Sequence, residues 1–272
     1  MPHAYKLLVV DIDGTLVDRH GNVSSQDREA LLDVRRAGLA VTLSTGRAVQ
    51  ACRGIIKQLA LDGYHIFFDG ALVSDLALGR EVYAWPVDST TVVEMIEFAR
   101  RRDIYLELFT ATAFFIERET WATEIRRRFF GLEPTMLNFD DISPSERIIK
   151  AQIITASAEE VAGAKNFYEH FDGRLNFSWA KTPAYPAIDF INVLAPEVSK
   201  GKALLALTSH LGIDMAEVMA IGDGLNDIPL LATAGLAVAM ENAPGKVREV
   251  ADDITPDVDH SGVAAAVKKY LL

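Results

Sequence analysis

The segment Asp11-Ile12-Asp13-Gly14-Thr15 places two carboxylates one residue apart. Two such charges repel each other and are costly to keep ionised unless a cation lies between them. Carboxylate oxygens are ligands that suit Mg²⁺, and Gly14 lets the backbone turn sharply behind them. The segment therefore predicts a magnesium site. Because Asp and Gly also favour turns for local reasons, an ordinary capped loop is the alternative.

A second polar segment, Ser44-Thr45-Gly46-Arg47, combines hydroxyl groups with backbone amides that would be free at the start of a helix. A helix N-terminus of this kind can hold a phosphate group. Taken alone, the same residues also fit an ordinary helix N-cap. The segment is thus a candidate phosphate-binding loop.

A third segment, Gly222-Asp223-Gly224-Leu225-Asn226-Asp227, carries two further carboxylates and an amide side chain. Its Gly-x-Gly start is similar to a dinucleotide fingerprint, but Asp227 stands where that fingerprint needs a small residue. We therefore reject nicotinamide binding. Lys200, just before a predicted helix, could neutralise a bound phosphate, although a single lysine is usually a solvated charge.

The residues between these segments predict the sheet that would bring them together. Continuous apolar runs, typical of buried parallel strands, occur at residues 7–10, 40–43, 66–68, 218–221 and 236–240. Helical spacing of apolar residues separates them, and ligands of such sheets bind at the carboxyl ends of the strands. The predicted fold class is α/β, with a doubly wound, mostly parallel, Rossmann-like sheet.

The middle of the chain differs in composition. Residues 84–190 contain most of the aromatic side chains, including all three Trp. We interpret this segment as a smaller α+β cap domain inserted into a catalytic core of residues 1–83 and 191–272. The cap aromatics are assigned to the packing of the cap. The run Arg126-Arg127-Arg128 is assigned to a solvated helical face.

Composition excludes several classes of protein. The chain has 272 residues, half of them apolar, and a formal charge of −11, which leaves no basic surplus for nucleic acid. Cys52 is the only cysteine, so no intrachain disulfide is expected. No apolar run approaches the roughly 20 residues of a membrane span, and the first residues lack a signal-peptide pattern. A cytoplasmic protein is predicted.

The order of these motifs along the chain resembles that of the haloacid dehalogenase superfamily of phosphatases, specifically the Cof-type group with a type IIB cap. The matching residues are Asp11-Ile12-Asp13-Gly14-Thr15, Ser44-Thr45-Gly46-Arg47, Lys200 and Gly222-Asp223-Gly224-Leu225-Asn226-Asp227. In that group the cap is inserted between the second and third motifs. The aromatic-rich segment occupies this place, so the resemblance spans nearly the whole chain.

The resemblance implies a role for each matching residue. Asp11 would be the nucleophile that forms an aspartyl-phosphate, and Asp13 the general acid and base. Asp11, the Asp13 carbonyl and Asp223 would bind Mg²⁺, with Asp227 supporting the metal site. The residues that would hold the phosphoryl group are Ser44, Thr45, Gly46, Lys200 and Asn226.

One position departs from the pattern of the group. Cof-type sequences usually have Asn-Gly-Ala after the third strand, whereas this chain has Asp69-Gly70-Ala71. Asp69 could bind a hydroxyl group of a polyol or sugar, or it could be a turn residue. The candidates for substrate specificity are Arg47, Asp69, Lys181 and Tyr185.

Three functions are compatible with the motifs. The first is Mg²⁺-dependent hydrolysis of a small phosphorylated metabolite, such as a sugar phosphate, under a closing cap. The second is sugar phosphomutase activity, as in phosphomannomutase, which resembles the same core and cap. The third is a non-catalytic phospho-acceptor module, which the inserted cap and Asp13 disfavour. The oligomeric state is left open.

Overall fold

The computed structural model describes residues 5–143, 145–182 and 184–272. In chain order its strands are β1 (Leu7–Asp11), β2 (Ala40–Ser44), β3 (Tyr64–Phe67), β4 (Leu72–Asp75), β5 (Arg80–Ala84), β6 (Leu106–Phe109), β7 (Phe114–Ile116), β8 (Thr135–Met136), β9 (Lys150–Thr155), β10 (Asn176–Thr182), β11 (Tyr185–Leu194), β12 (Val218–Gly222), β13 (Leu236–Met240) and β14 (Asp253–Thr255). Its helices are α1 (Ser25–Arg36), α2 (Val49–Gln58), α3 (Ser89–Arg101), α4 (Trp121–Arg128), α5 (Ala158–Phe171), α6 (Lys200–Leu211), α7 (Ile228–Leu231), α8 (Gly245–Arg248) and α9 (Gly262–Tyr270).

The first sheet has the strand order β14-β13-β12-β1-β2-β3-β4-β5. The strands from β14 to β3 pair in parallel, whereas β4 and β5 are added antiparallel at one edge. Its central strand β1 is completely buried along residues 7–10, as expected for a strand covered on both faces. The predicted α/β class with a mostly parallel sheet is confirmed.

Local sequence sets the ends of the helices around this sheet. Ser24 caps α1 by accepting a hydrogen bond from the backbone N–H of Asp27, and Ser199 caps α6 in the same way. Gly212 ends α6 in the left-handed conformation. Residues 225–227 form a separate 3₁₀ turn before the short helix α7.

The second sheet has the strand order β10-β11-β9-β6-β7-β8. It is mainly antiparallel, and its helices α3 and α5 pack through Phe98, Phe167 and Phe171. We propose that this sheet is the inserted unit predicted at residues 84–190. Strand β11 continues to Leu194, past that predicted end. Among the described residues, no helix combines the length and the apolar character needed to cross a membrane.

Candidate active site

Three neighbouring strands bring the polar segments to one edge of the first sheet. Asp11 is the last residue of β1 and lies in register with Ser44, the last residue of β2. Asp223 directly follows β12, the neighbour of β1 on its other side. Because these strands are parallel, their carboxyl ends share one edge, where ligands of open α/β sheets bind.

Lys200 lies between two carboxylates at this edge. Its Nζ is 2.5 Å from Asp11 Oδ1 and 2.5 Å from Asp227 Oδ1, and it also donates to the Ser44 carbonyl at 3.2 Å. The lysine side chain is completely buried. Burial alone would lower the pKa of Lys200, but the carboxylates of Asp11 and Asp227 outweigh burial and raise it. Lys200 is therefore a permanent cation beside Asp11.

Hydrogen bonds fix the acidic loop that faces Asp11. Asp223 Oδ1 accepts from the Thr15 hydroxyl at 2.8 Å, and Asp223 Oδ2 accepts from Asn242 at 3.1 Å. Asp227 Oδ2 accepts from the backbone N–H groups of Asp223 and Gly224. The loop is thus held in one conformation before any ligand binds.

The tight approach of the two acidic segments requires a glycine. Gly14 has φ +89°, and a Cβ atom at this position would collide with the Asp223 carboxylate. Only glycine adopts this conformation freely and leaves the space open. Gly14 therefore allows Asp223 to lie against the turn that carries Asp11 and Asp13.

The carboxylates of Asp11, Asp223 and Asp227 fit a divalent cation. One oxygen from each lies within 4.8 Å of the others, and hard oxygen donors of this kind suit Mg²⁺. Burial, reinforced by the charge of Asp227, raises the pKa of Asp11 well above its ordinary value and that of Asp223 to about 7. Lys200 alone does not balance three clustered carboxylates, so a bound cation would relieve their repulsion.

Asp13 is held by Arg47 from the second motif. The guanidinium donates from Nε to Asp13 Oδ2 at 2.8 Å and from Nη2 to Asp13 Oδ1 at 2.6 Å. A planar fork of this kind fixes the plane of the carboxylate. Arg47 is almost buried, whereas about a quarter of the Asp13 side chain remains exposed, 26%. Arg47 therefore orients Asp13 at the surface of the cavity described next.

A cavity of about 180 Å³ lies between the two sheets. The first unit, meaning the first sheet with its helices and loops, lines it with Asp11, Asp13, Thr45, Gly46, Arg47, Ala48, Ala51, Asp223, Gly224, Leu225 and Asn226. The second unit, meaning the second sheet with its helices and loops, lines it with Phe109, Arg126, Phe130, Leu132, Lys150, Gln152, Trp179, Phe190 and Asn192. The carboxylates and the second motif thus form one wall, and aromatic and basic side chains form the other.

The second motif reaches this cavity through Thr45 and Gly46, not through Ser44. The Ser44 side chain is buried, its Oγ has no partner among the described residues, and it does not line the cavity. Ser44 is the last residue of β2, whereas Thr45 follows the strand and lines the cavity. Of the two predicted phosphate-binding hydroxyl groups, Thr45 is the one at the cavity.

Asp69 lies behind the cavity wall and joins two amide side chains. Its Oδ1 accepts from Asn226 Nδ2 at 2.7 Å, and its Oδ2 accepts from Asn192 Nδ2 at 2.6 Å. Asp69 has φ 53° and is almost completely buried. Its carboxylate is therefore occupied by Asn192 of β11 and Asn226 of the third motif, and it does not line the cavity.

Of the other two specificity candidates, only Tyr185 has a side chain among the described residues. Tyr185 packs edge to face against Phe129, with ring centroids 5.5 Å apart, and does not line the cavity. The side chain of Lys181 lies outside the described residues. Neither prediction gains support from the geometry.

The assignment of the arginine run to a solvated face is wrong for Arg126. This side chain is buried, pairs with Glu107 at 2.6 Å and lines the cavity, whereas Arg127 pairs with glutamates at the surface. The charged Glu107 within the apolar run Leu106–Phe109 could have revealed this, because a buried carboxylate needs a partner. The aromatic lining from Phe109, Phe130, Trp179 and Phe190 was also missed.

Comparisons with known proteins agree with this arrangement. A family model described as haloacid dehalogenase-like hydrolase matches residues 8–267. Two Bacillus subtilis proteins are similar over 98% of this chain. Phosphatase YwpJ is 28% identical and covered over its full length. 5-amino-6-(5-phospho-D-ribitylamino)uracil phosphatase YcsE is 29% identical and covered over 96%.

A solved structure shares the whole fold, including the second sheet. The subclass IIB sugar phosphatase BT4131 superposes with a TM-score of 0.81 at 24% sequence identity. The match covers 97% of this chain and 98% of the other. The resemblance to a haloacid dehalogenase fold with a type IIB cap, predicted from the motifs, is thereby confirmed.

Proposed function

Because this chain belongs to the haloacid dehalogenase-like hydrolases, we propose that it is a magnesium-dependent phosphatase for a small phosphorylated metabolite. The observation that carries the proposal is the position of Asp11. This carboxylate lines the cavity, 2.5 Å from the buried Lys200 and within reach of a common cation with Asp223. Such surroundings suit a nucleophile that must approach a phosphate group of like charge.

In the proposed reaction, a carboxylate oxygen of Asp11 attacks phosphorus, and the bond between phosphorus and the leaving oxygen breaks. Asp13 gives its proton to that oxygen, so the alcohol leaves neutral. Because Arg47 binds both oxygens of Asp13, the acid form requires one of these hydrogen bonds to open when substrate enters. Water then attacks the phosphorus of the aspartyl-phosphate and gives its proton to Asp13. This step releases phosphate and restores Asp11.

The remaining polar groups of this wall would hold the transferring phosphoryl group. The Thr45 hydroxyl, the Gly46 amide and Asn226 line the cavity beside Asp11 and can donate hydrogen bonds to phosphoryl oxygens. Mg²⁺, held by Asp11 and Asp223 with Asp227 behind them, would neutralise charge on those oxygens. Lys200 would neutralise charge on Asp11.

The enclosed site favours a small substrate. A cavity of about 180 Å³, walled by the second sheet, has no room for a folded macromolecule. The name of YcsE, which is 29% identical, describes a phosphatase for a phosphorylated ribitylamino-uracil. A compound of the general type of a sugar phosphate or phosphorylated polyol is therefore proposed. A cytoplasmic location and the absence of nucleic acid partners stay predictions from composition.

Asp11→Asn tests the proposal. We expect wild-type protein to release phosphate from p-nitrophenyl phosphate in the presence of Mg²⁺. This release should stop when EDTA removes the metal. Asp11→Asn keeps the shape of the side chain but loses activity, since the amide is not a nucleophile. Asp62→Asn, at an exposed surface pair, is the matched control and keeps full activity. Activity in Asp11→Asn, or faster conversion of a hexose 1-phosphate to the 6-phosphate than to phosphate, would exclude this assignment.

A further inference from the structure

Two buried cations of the second unit, Arg126 and Lys150, face the cavity wall that carries Asp11. Both line the cavity, and both pack on the ring of Phe109. Neither belongs to the four motifs, and the proposed reaction uses neither. A buried cation is costly unless an anion or several acceptors compensate for the lost hydration.

Arg126 is fully compensated within the protein. Its guanidinium binds Glu107 through Nε and Nη2, at 3.0 Å and 2.6 Å, and also donates to the side-chain oxygen Oε1 of Gln152. The rings of Phe109, Phe130 and Phe190 surround it at 5.2–5.5 Å. Its charge is therefore balanced before any ligand arrives.

Lys150 lacks such a partner. Its Nζ donates to the Gly46 carbonyl at 3.2 Å and to Asn192 Oδ1 at 3.1 Å, both of which are neutral acceptors. Within the described part of the chain, no carboxylate lies within ion-pair distance of this nitrogen. An ammonium group has three N–H donors, so the third has only the ring faces of Phe109 and Phe68, at 4.7 Å and 5.5 Å, and no oxygen acceptor. Burial, followed by the charge of Arg126, lowers the pKa of Lys150 to about 7, and the charges of Asp69 and Glu107, which lie beyond ion-pair distance, offset this only in part.

The position of Lys150 determines where an anionic group of a bound ligand would lie if it paired with this amine. The Gly46 carbonyl that it contacts belongs to the loop whose amide and neighbouring Thr45 face the phosphoryl site. An acceptor at Lys150 would thus lie in the same cavity as a phosphoryl group at Asp11, beside the Gly46 loop. The cavity of about 180 Å³ accommodates a short molecule.

We propose that the substrate of the phosphatase site is a short phosphate ester with a second anionic group, either a carboxylate or a second phosphoryl group, that binds Lys150. This inference rests on the proposed function, because it concerns the leaving-group half of the same cavity. Lys150 then determines specificity. The alternative is that Lys150 serves only to fasten β9 to the Gly46 loop, in which case its loss would affect all substrates equally.

The test measures binding without turnover. Asp11→Asn protein with Mg²⁺ is titrated calorimetrically with three compounds: glycerol 3-phosphate, 3-phosphoglycerate and propane-1,3-diol bisphosphate. The first has a neutral end, the second ends in a carboxylate and the third in a phosphoryl group. We expect one of the two doubly anionic compounds to bind at least about tenfold more tightly than glycerol 3-phosphate, as for a hydrogen bond to a charged group.

Lys150→Met in the same background removes the charge and keeps an unbranched side chain. It should abolish that preference and leave the affinity for glycerol 3-phosphate within about twofold. Lys150→Gln repeats the comparison if the Met variant does not fold. Equal affinities for the three compounds in Asp11→Asn protein, or an equal loss for all three in the Lys150 variants, would refute the inference.

Two readouts separate this inference from the proposed function. Hydrolysis of p-nitrophenyl phosphate by wild-type protein tests the phosphatase reaction and needs no second anion. The preference for the doubly anionic compound should also weaken as pH rises through about 7, because Lys150 loses its proton. Charged or titratable groups around Lys150 are Arg126, Asp69, Glu107 and Cys52. The affinity of glycerol 3-phosphate, measured in parallel, corrects for titration of the common phosphoryl group.

Discussion

Asp69→Asn should destabilise the protein, although Asn is the usual residue at this position in the Cof-type sequences that the chain resembles. Asp69 accepts from Asn192 and from Asn226, one at each oxygen. An asparagine at residue 69 has only one acceptor oxygen and presents an NH₂ group in place of the other. One of the two buried amides would then face a donor.

The expected loss is about 2 kcal/mol in the free energy of unfolding. A hydrogen bond to a charged group contributes roughly 1.5–3 kcal/mol, and a buried donor left without a partner costs about 1–3 kcal/mol. The two energies describe the same broken hydrogen bond, so they are not added together. Asp69 and Asn192 are almost completely buried, so solvent does not readily replace an acceptor lost by Asn192, whereas Asn226 lines the cavity and is only partly buried.

Urea unfolding measures this loss. Trp121 and Trp179 lie in the segment that contains the second sheet, and Trp85 packs on Tyr83 of β5. Tryptophan fluorescence and far-ultraviolet circular dichroism therefore both follow the two sheets. Coincident transitions justify a two-state free energy. Asp62→Asn, at an exposed ion pair, controls for removal of one charge and should change stability by less than about 0.5 kcal/mol. If Asp69→Asn also changed the free energy of unfolding by less than about 0.5 kcal/mol, the reasoning would be refuted.

Two further predictions concern the acidic cluster. Lys200→Met leaves Asp11 and Asp227 without their buried cation, so we expect loss of phosphate release and a destabilisation of about 3–5 kcal/mol in urea unfolding; wild-type stability in this variant would contradict the ion-pair geometry. In EDTA, the melting temperature should fall between about pH 4 and pH 7. Over this range the folded protein keeps a proton on Asp223, whose pKa is raised to about 7, whereas the unfolded chain releases it, so stability is lost as pH rises. Mg²⁺ should flatten this decline, and identical pH profiles with and without Mg²⁺ would argue against a metal at Asp223.

Much of the first unit could be predicted because its elements are locally encoded. The apolar run at residues 7–10 becomes the buried strand β1, and Gly38, just after α1, adopts φ +88°. The antiparallel strands β4 and β5 were not predicted. Leu72–Asp75 is only four residues long and ends in polar side chains, so neither length nor periodicity distinguishes it from a loop.

Side-chain direction at the site could not be read from the sequence. Ser44 and Thr45 are both hydroxyl residues, and which one faces the cavity depends on the exact residue at which β2 ends. The burial of Arg126 depends on Glu107, nineteen residues away in a different element. A run of charged residues predicts that a helix face is exposed. It does not predict that tertiary packing brings a partner such as Glu107, which buries one residue of the run.

The carboxylate shared by Asn192 and Asn226 has a consequence for protein engineering. All the residues proposed for the chemistry lie outside the span from α3 to β11, so that span would be the obvious unit to exchange with a relative in order to change selectivity. Yet Asp69, outside the span, depends on Asn192 inside it. A chimera that brings a different residue to position 192 would leave one Asp69 oxygen unoccupied and loosen the support of Asn226. The transferable unit is therefore the span together with residue 69.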